Sequence, residues 1–228
     1  MPERSNGPPW KGGMSERASR VRIPLSPPRK FNINMIRTLE KKPVIVFDFD
    51  DVIIDVTKGF LQFYKDKGEF AGDFEKIETD ISLLMKITQE EELKLWDRFF
   101  DSEEYLSLLP NPHVLEVLEK LKERFELVIL TNRVNRFRES AMSWIKRHLP
   151  DYFSKVLFAL DFPEGKRSKG QICSDLGAIL LIDDEPKNIF SCIEHSIPVV
   201  VYDSPWNRKL PRELPRIKSI EEVEGFIE

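Results

Sequence analysis

The stretch VIVFDFDDVIID, residues 44–55, decides how the fold is read, because a continuous apolar run passes directly into a crowd of aspartates. Val44, Ile45, Val46 and Phe47 lack the polar alternation of a half-exposed strand. They read as a strand over 43–47 buried on both faces, the pattern of a parallel sheet. Asp48, Asp50, Asp51 and Asp55 follow in close succession. Like charges repel and a carboxylate near a core loses hydration, so a purely structural purpose for this group is hard to find.

Working outward, the apolar run recurs. FELVILT ending at Thr131, KVLFAL ending near Leu160, AILLIDD ending at Asp183 and IPVVVYD ending at Asp203 bring the strand candidates to five. Helical spacing lies between them: Val114, Leu115, Leu118 and Leu121 after Pro112 at the first helical position, then Phe137, Ala141, Trp144, Ile145 and His148. Alternating strand and helix predicts an α/β fold, a doubly wound (Rossmann-like) parallel sheet. Residues 56–109 carry no strand signal but several helical stretches, one opened by a capping box from Thr88 to Glu91. They read as a small helical cap inserted after the first strand, with 43–55 and 110–228 as the core domain. The aromatic residues of this insertion, among them Phe60, Phe63, Tyr64, Trp96, Phe99, Phe100 and Tyr105, mostly supply its core, since a small bundle needs large side chains to bury enough area.

Composition bounds the function. No apolar run approaches the length needed to cross a bilayer. Two cysteines, Cys173 and Cys192, are too few for a disulfide framework or a cysteine zinc site, which fits a reducing, cytoplasmic setting. The formal charge of −4 hides an asymmetry: ten Lys/Arg against three Glu give residues 1–42 a charge of +7 and leave −11 on the rest. The Pro-, Gly-, Ser- and Arg-rich start reads as a disordered basic extension over 1–42. A dispensable extension, an organellar targeting segment and a nucleic-acid-binding arm all fit it. The acidic remainder argues against a nucleic-acid polymer as the main substrate.

In a doubly wound sheet ligands bind beyond the carboxyl ends of the strands. Here those ends carry Asp48 and Asp50, Thr131 and Asn132, Asp183 and Asp184, and Asp203, with Lys169 before the fourth strand. Taken singly each has a plain explanation. Asp184 and Thr131 are as consistent with helix caps, and Lys169 with a solvated lysine beside the cap-spaced pair Ser168 and Gln171. Their joint occurrence in order is what plain capping does not explain. Clustered carboxylates without His or Cys call for a hard cation, Mg²⁺ above others, and a bound Mg²⁺ invites a phosphate. His113, His148 and His195 have no metal spacing and read as structural or surface residues.

The ordered set FDFDDVIID, LTNR, SKGQIC and LLIDDEPKN resembles the haloacid dehalogenase-like (HAD) superfamily over about residues 44–203. The resemblance implies a phosphotransferase with an aspartyl-phosphate intermediate, a Mg²⁺ cofactor and a cap between the first two motifs. Asp48 would be the nucleophile and a metal ligand. Asp50 would be the acid and base toward the leaving group, with its backbone carbonyl on the metal. Thr131, Asn132 and Lys169 would hold the phosphoryl group, and Asp183 with Asp184 would complete the metal site, their division of labour left open. DFDDVIID and the later YDSPWNR resemble the 5′(3′)-deoxyribonucleotidase and related nucleotidase branch, which implies a small phosphorylated substrate such as a nucleoside monophosphate. Two departures stand out: Asp51 replaces the usual Gly, and LTNR differs from the Thr-Ser pairing common in that branch. Trp206 fits packing and a place near the site equally well. A non-catalytic binding module on the same fold, or a phosphomutase, are the alternatives.

Overall fold

The computed structural model of the protein describes residues 41–70, 73–77, 81–161 and 167–227. The reading of residues 1–42 as a disordered extension therefore lies, apart from Lys41 and Lys42, outside the described residues. Among the described residues, a six-stranded sheet has the order β3-β2-β1-β4-β5-β6, and every neighbouring pair is parallel. The strands are β1 (Val44–Phe47), β2 (Glu126–Thr131), β3 (Lys155–Phe158), β4 (Ala178–Asp183), β5 (Val199–Tyr202) and β6 (Arg216–Ile217). Five are the expected ones. The sixth was not foreseen, because two residues in a Pro- and charge-rich stretch carry no apolar run. The third strand ends at Phe158 rather than Leu160, where Ala159–Asp161 tightens into a 3₁₀ turn.

Period-two alternation divides the sheet between two cores. Ile45 and Phe47 of β1 point to one face with Leu127, Ile129, Leu180, Ile182 and Val200. Val44 and Val46 point to the other, with Val128, Leu130, Leu181, Val199 and Val201. The second face is covered by α7 (Lys169–Leu176) and α8 (Pro186–Glu194) through Ile172, Cys173, Ile189 and Cys192, and both cysteines are free and buried. On the first face lie α5 (Val114–Lys122) and α6 (Arg138–His148). Pro112 does not open α5 as expected. His113 is the cap residue, in the left-handed region at φ 65°, so the helix starts at Val114, two residues after Pro112.

Between β1 and β2 run α1 (Val56–Asp66), α2 (Ile81–Met85), α3 (Gln89–Phe100) and α4 (Glu103–Ser107). The Thr88–Glu91 capping box opens α3 with both reciprocal bonds present. Phe60, Phe63, Tyr64, Trp96, Phe99, Phe100 and Tyr105 are buried and join the first-face core, so the insertion shares that core with the sheet. Edge-to-face and tilted contacts link them, as between Phe60 and Phe99 and between Phe99 and Tyr105. Among the described residues, no helix is long and apolar enough to cross a membrane.

One close approach positions the site. A Cβ on Gly170, at the start of α7, would lie 2.2 Å from the Ser191 carbonyl oxygen of α8, so only glycine lets the two helices meet there. The clash is with backbone, which no rotamer change relieves. Gly170→Ala is expected to lower unfolding free energy by about 1–3 kcal/mol in urea titration. Gly59→Ala, whose Cβ would meet only the movable end of Leu108, should cost distinctly less. Equal costs would refute the helix-contact argument.

Candidate active site

Register builds the site. Phe47 of β1 pairs with Ile129 of β2 and Ile182 of β4, so the next residues of β1 and β4, Asp48 and Asp183, emerge side by side. The Asp48 amide donates to the Ile182 carbonyl at 2.8 Å and fixes that alignment. Thr131 closes β2 beside them, buried, with its hydroxyl accepting the Arg133 amide at 3.0 Å.

Lys169 is the pivot. Set at the first position of α7 behind its Ser168 cap, it is fully buried and places Nζ 2.8 Å from both Asp48 Oδ1 and Asp183 Oδ2. Burial by itself would lower the ammonium pKa, but Asp183 and Asp48 more than offset it and hold Lys169 charged. The same upward direction in Asp48 favours its neutral form. Loss of solvent raises its carboxyl well above the usual range, and the neighbouring Asp183 and Asp50 add to this against the pull of Lys169. Lys169 is one cation between the two carboxylates of Asp48 and Asp183.

Asp48, Asp183 and Asp184 can each offer a carboxylate oxygen within 4.8 Å of the others. Asp183 is the most enclosed. It accepts from Lys169, from the Glu185 amide at 2.9 Å and from Asn188 Nδ2 at 3.1 and 3.2 Å. Asn188 in turn receives Asn132 Nδ2 at 2.9 Å, tying the end of β2 to α8. Asp184 is held from the other side: Trp206 Nε1 donates to its carboxylate at 2.7 Å and Asn207 Nδ2 to its carbonyl at 2.8 Å. Trp206 thus does both things the sequence allowed, lying edge-on to Phe74 of the insertion and bonding a site aspartate.

Asp50 stands apart from the acidic trio. Its carboxylate is gripped by Arg133 through Nη2 to Oδ1 and Nε to Oδ2. No sequence signal marked Arg133, because an arginine after TN reads as a surface charge until the fold buries it. Asp51 turns away from the trio, as its odd place in the motif suggested. It sits at φ 60°, the left-handed conformation that explains the usual glycine there, and its carboxylate accepts the Thr57 amide at 2.8 Å and hydroxyl at 2.5 Å at the start of α1. Asp55 pairs with exposed Lys58, and Asp203 with Arg216. The histidines lie outside the acidic trio: His113 faces Glu116 and Glu221, His148 bonds the Leu106 carbonyl, and His195 bonds the Ser191 carbonyl.

Asp48 and Asp184 of the trio open on a small cleft of about 30 Å³ that is also lined by Asp50, Thr131, Asn132, Arg133 and Asn188. A second cavity of similar size meets it at Asp50, Asp51 and Arg133 and is walled by Val56, Trp96, Phe100 and Phe137. One chamber is polar and suits an anion with a cation. The other is aromatic.

Solved structures of haloacid dehalogenase-like hydrolases share this fold. The hydrolase SP0104 of Streptococcus pneumoniae, of the haloacid dehalogenase-like family, matches with a TM-score of 0.60 at 15% identity, over 82% of this chain and 99% of that one. A Bacillus subtilis protein described as "putative HAD-hydrolase YfnB", bound to magnesium, matches at 0.55 and 16%, over 82% and 98%. Within that class, the profile of the 5′ nucleotidase, deoxy (pyrimidine), cytosolic type C (NT5C) family matches residues 42–228, and the chain belongs to that family. The Halalkalibacterium halodurans protein named "Putative nucleotidase BH1399" is 24% identical over 195 residues, 84% of this chain and 95% of that protein. The protein is accordingly a HAD-type phosphatase.

The Asp51 conformation yields a stability test. Asp51→Gly loses the cap on α1 but relieves the left-handed backbone, whereas Asp51→Ala loses the cap and keeps the strain. Thermal unfolding should find the alanine variant the less stable by about 1 kcal/mol; the reverse order would contradict this role.

Proposed function

We propose that this phosphatase hydrolyses small phosphomonoesters with Mg²⁺ through a phosphorylated Asp48, and that a nucleoside monophosphate is its substrate. The carrying observation is the oxygen-only trio Asp48, Asp183 and Asp184, with buried Lys169 bonded to the first two and with Asp48 and Asp184 lining a cleft beside Thr131 and Asn132. An all-carboxylate donor set with uncompensated negative charge fits a hard divalent cation. Asp48 and Asp184, which line the cavity, and the Asp50 carbonyl would hold it. Asp183, enclosed and already bonded to Lys169, Glu185 and Asn188, would orient the others from behind. Bound there, Mg²⁺ lets an anionic nucleophile approach an anionic phosphate.

The chain's own groups supply the steps. Asp48 Oδ1 is held by the Phe49 amide at 2.7 Å and by Lys169, which leaves Oδ2 to attack phosphorus. As the Asp48 O–P bond forms and the ester P–O bond breaks, Asp50 gives its proton to the departing oxygen. Asp50 then takes a proton from water as that water attacks phosphorus and frees Asp48. Thr131 and Asn132 hold phosphoryl oxygens, and Lys169 offsets charge beneath them. The cleft beyond Asp50 lies on the side where the leaving group would extend, and Trp96, Phe100 and Phe137 in its wall offer ring faces to a base. The name of the Halalkalibacterium halodurans relative supports a nucleotide.

Phosphate release from a panel of nucleoside monophosphates and sugar phosphates, with and without Mg²⁺, tests this. Turnover of a nucleotide that needs Mg²⁺ and disappears in Asp48→Asn is expected; activity surviving that change would defeat the nucleophile assignment. A second expectation concerns Trp206. Losing its bond to Asp184 in Trp206→Phe should raise the Mg²⁺ concentration for half-maximal activity by about tenfold, the scale of outer-sphere changes at metal sites. An unchanged requirement would detach Trp206 from the cation.

A further inference from the structure

We propose that Arg133 is the positioning residue for the acid and base Asp50, and that α3 and α4 of the insertion hold Arg133 in place. The proposal rests on the assignment of Asp50 made above.

Arg133 follows Thr131 and Asn132 in the chain, a place from which an arginine could also reach a bound phosphate. The geometry points elsewhere. Its side chain is 2% exposed. Nε and Nη2 form a two-pronged grip on the two oxygens of Asp50, and Nη1 donates to the Tyr105 hydroxyl of α4 at 2.8 Å. The guanidinium face lies 4.2 Å from the Phe100 ring centroid on α3 and 5.0 Å from Phe49. All three nitrogens are thus engaged by protein, and both apolar neighbours confine the plane.

A bidentate fork fixes a carboxylate in plane as well as in distance, which a single lysine ammonium does not. A carboxylate has about four acceptor directions, so two stay open to the cavity after the fork is made. Asp50 therefore meets a leaving oxygen in one orientation without searching rotamers. Tyr105 and Phe100 come from the insertion, while Asp50 and Arg133 come from the strand ends. The orientation of the acid is therefore tied to how the insertion packs on the sheet.

Leaving-group chemistry separates this role from a merely structural one. An alkyl phosphate must have its departing oxygen protonated, whereas p-nitrophenolate leaves without help. Because kcat/KM reports only steps through departure of the leaving group, the water step that both substrates share does not enter it. In Arg133→Met, kcat/KM for an alkyl phosphate such as a nucleoside 5′-monophosphate should fall about 100-fold, the lower range of general acid catalysis, while that for p-nitrophenyl phosphate stays within about threefold. With p-nitrophenyl phosphate, kcat should fall and an initial burst of nitrophenolate should appear, since Asp50 is then misplaced as the base. Tyr105→Phe should reproduce the same selectivity more weakly, and Arg133→Lys should recover only part of the loss.

Parallel falls in kcat/KM for both substrates would make Arg133 a phosphate ligand or a structural residue and overturn the proposal, as would no fall for either. Wild-type turnover of both esters is the separate check on the functional reading. A wild type that hydrolyses neither would overturn that reading and this proposal together, whereas selective loss in the variants alone supports the proposal.

Discussion

Everything in the site turns on a lysine with no solvent around it. Lys169 sits 2.8 Å from Asp48 on β1 and 2.8 Å from Asp183 on β4. Burying an ammonium is costly unless paired and hydrogen-bonded, and two carboxylates meet that need. They leave one negative charge in excess before Asp184 is counted, while Asp50 is offset by Arg133. The sheet register makes this crowding unavoidable, because adjacent parallel strands end at the same level. The close contact of α7 with α8 at Gly170 delivers Lys169 to that level. Fold and charge imbalance are thus one construction, and a divalent cation is its natural complement.

Around this pivot the remaining groups are sorted by what holds them. Asp183 is bonded from Lys169, Glu185 and Asn188, and Asp184 from Trp206 and Asn207. Asp50 is gripped by Arg133, and Asp51 is turned into the start of α1. Four aspartates close in sequence or space are kept from competing because each has its own partner. The two cavities meet at Asp50 and Arg133, so the point where a phosphate ester would be cut lies between a polar chamber and an aromatic one.

Much of this was legible beforehand for a physical reason. Buried parallel strands are written as apolar runs, and residues at their carboxyl ends converge, so Asp48, Thr131, Lys169, Asp183 and Asp184 could be grouped from order alone. Asp51 was marked as a departure from pattern, but its reason needed a backbone angle. Arg133 and Asn188 were not singled out, since their roles depend on contacts between segments far apart in the chain, and a charged or amide side chain carries no apolar period. Trp206 was left between two readings because only the folded chain reveals that its indole N–H reaches Asp184. β6 went unseen because its pairing comes from the neighbour β5 rather than from its own two residues.

The central claim is that Asp48 is a nucleophile beside a cation-binding carboxylate group. The most direct measurement is a crystal structure grown with Mg²⁺ and beryllium fluoride, a mimic of a phosphoryl group on a carboxylate. The account predicts beryllium bonded to Asp48, with Mg²⁺ about 2.0–2.1 Å from oxygens of Asp48 and Asp184. Beryllium fluoride on another residue, or Mg²⁺ bound without Asp48, would contradict it.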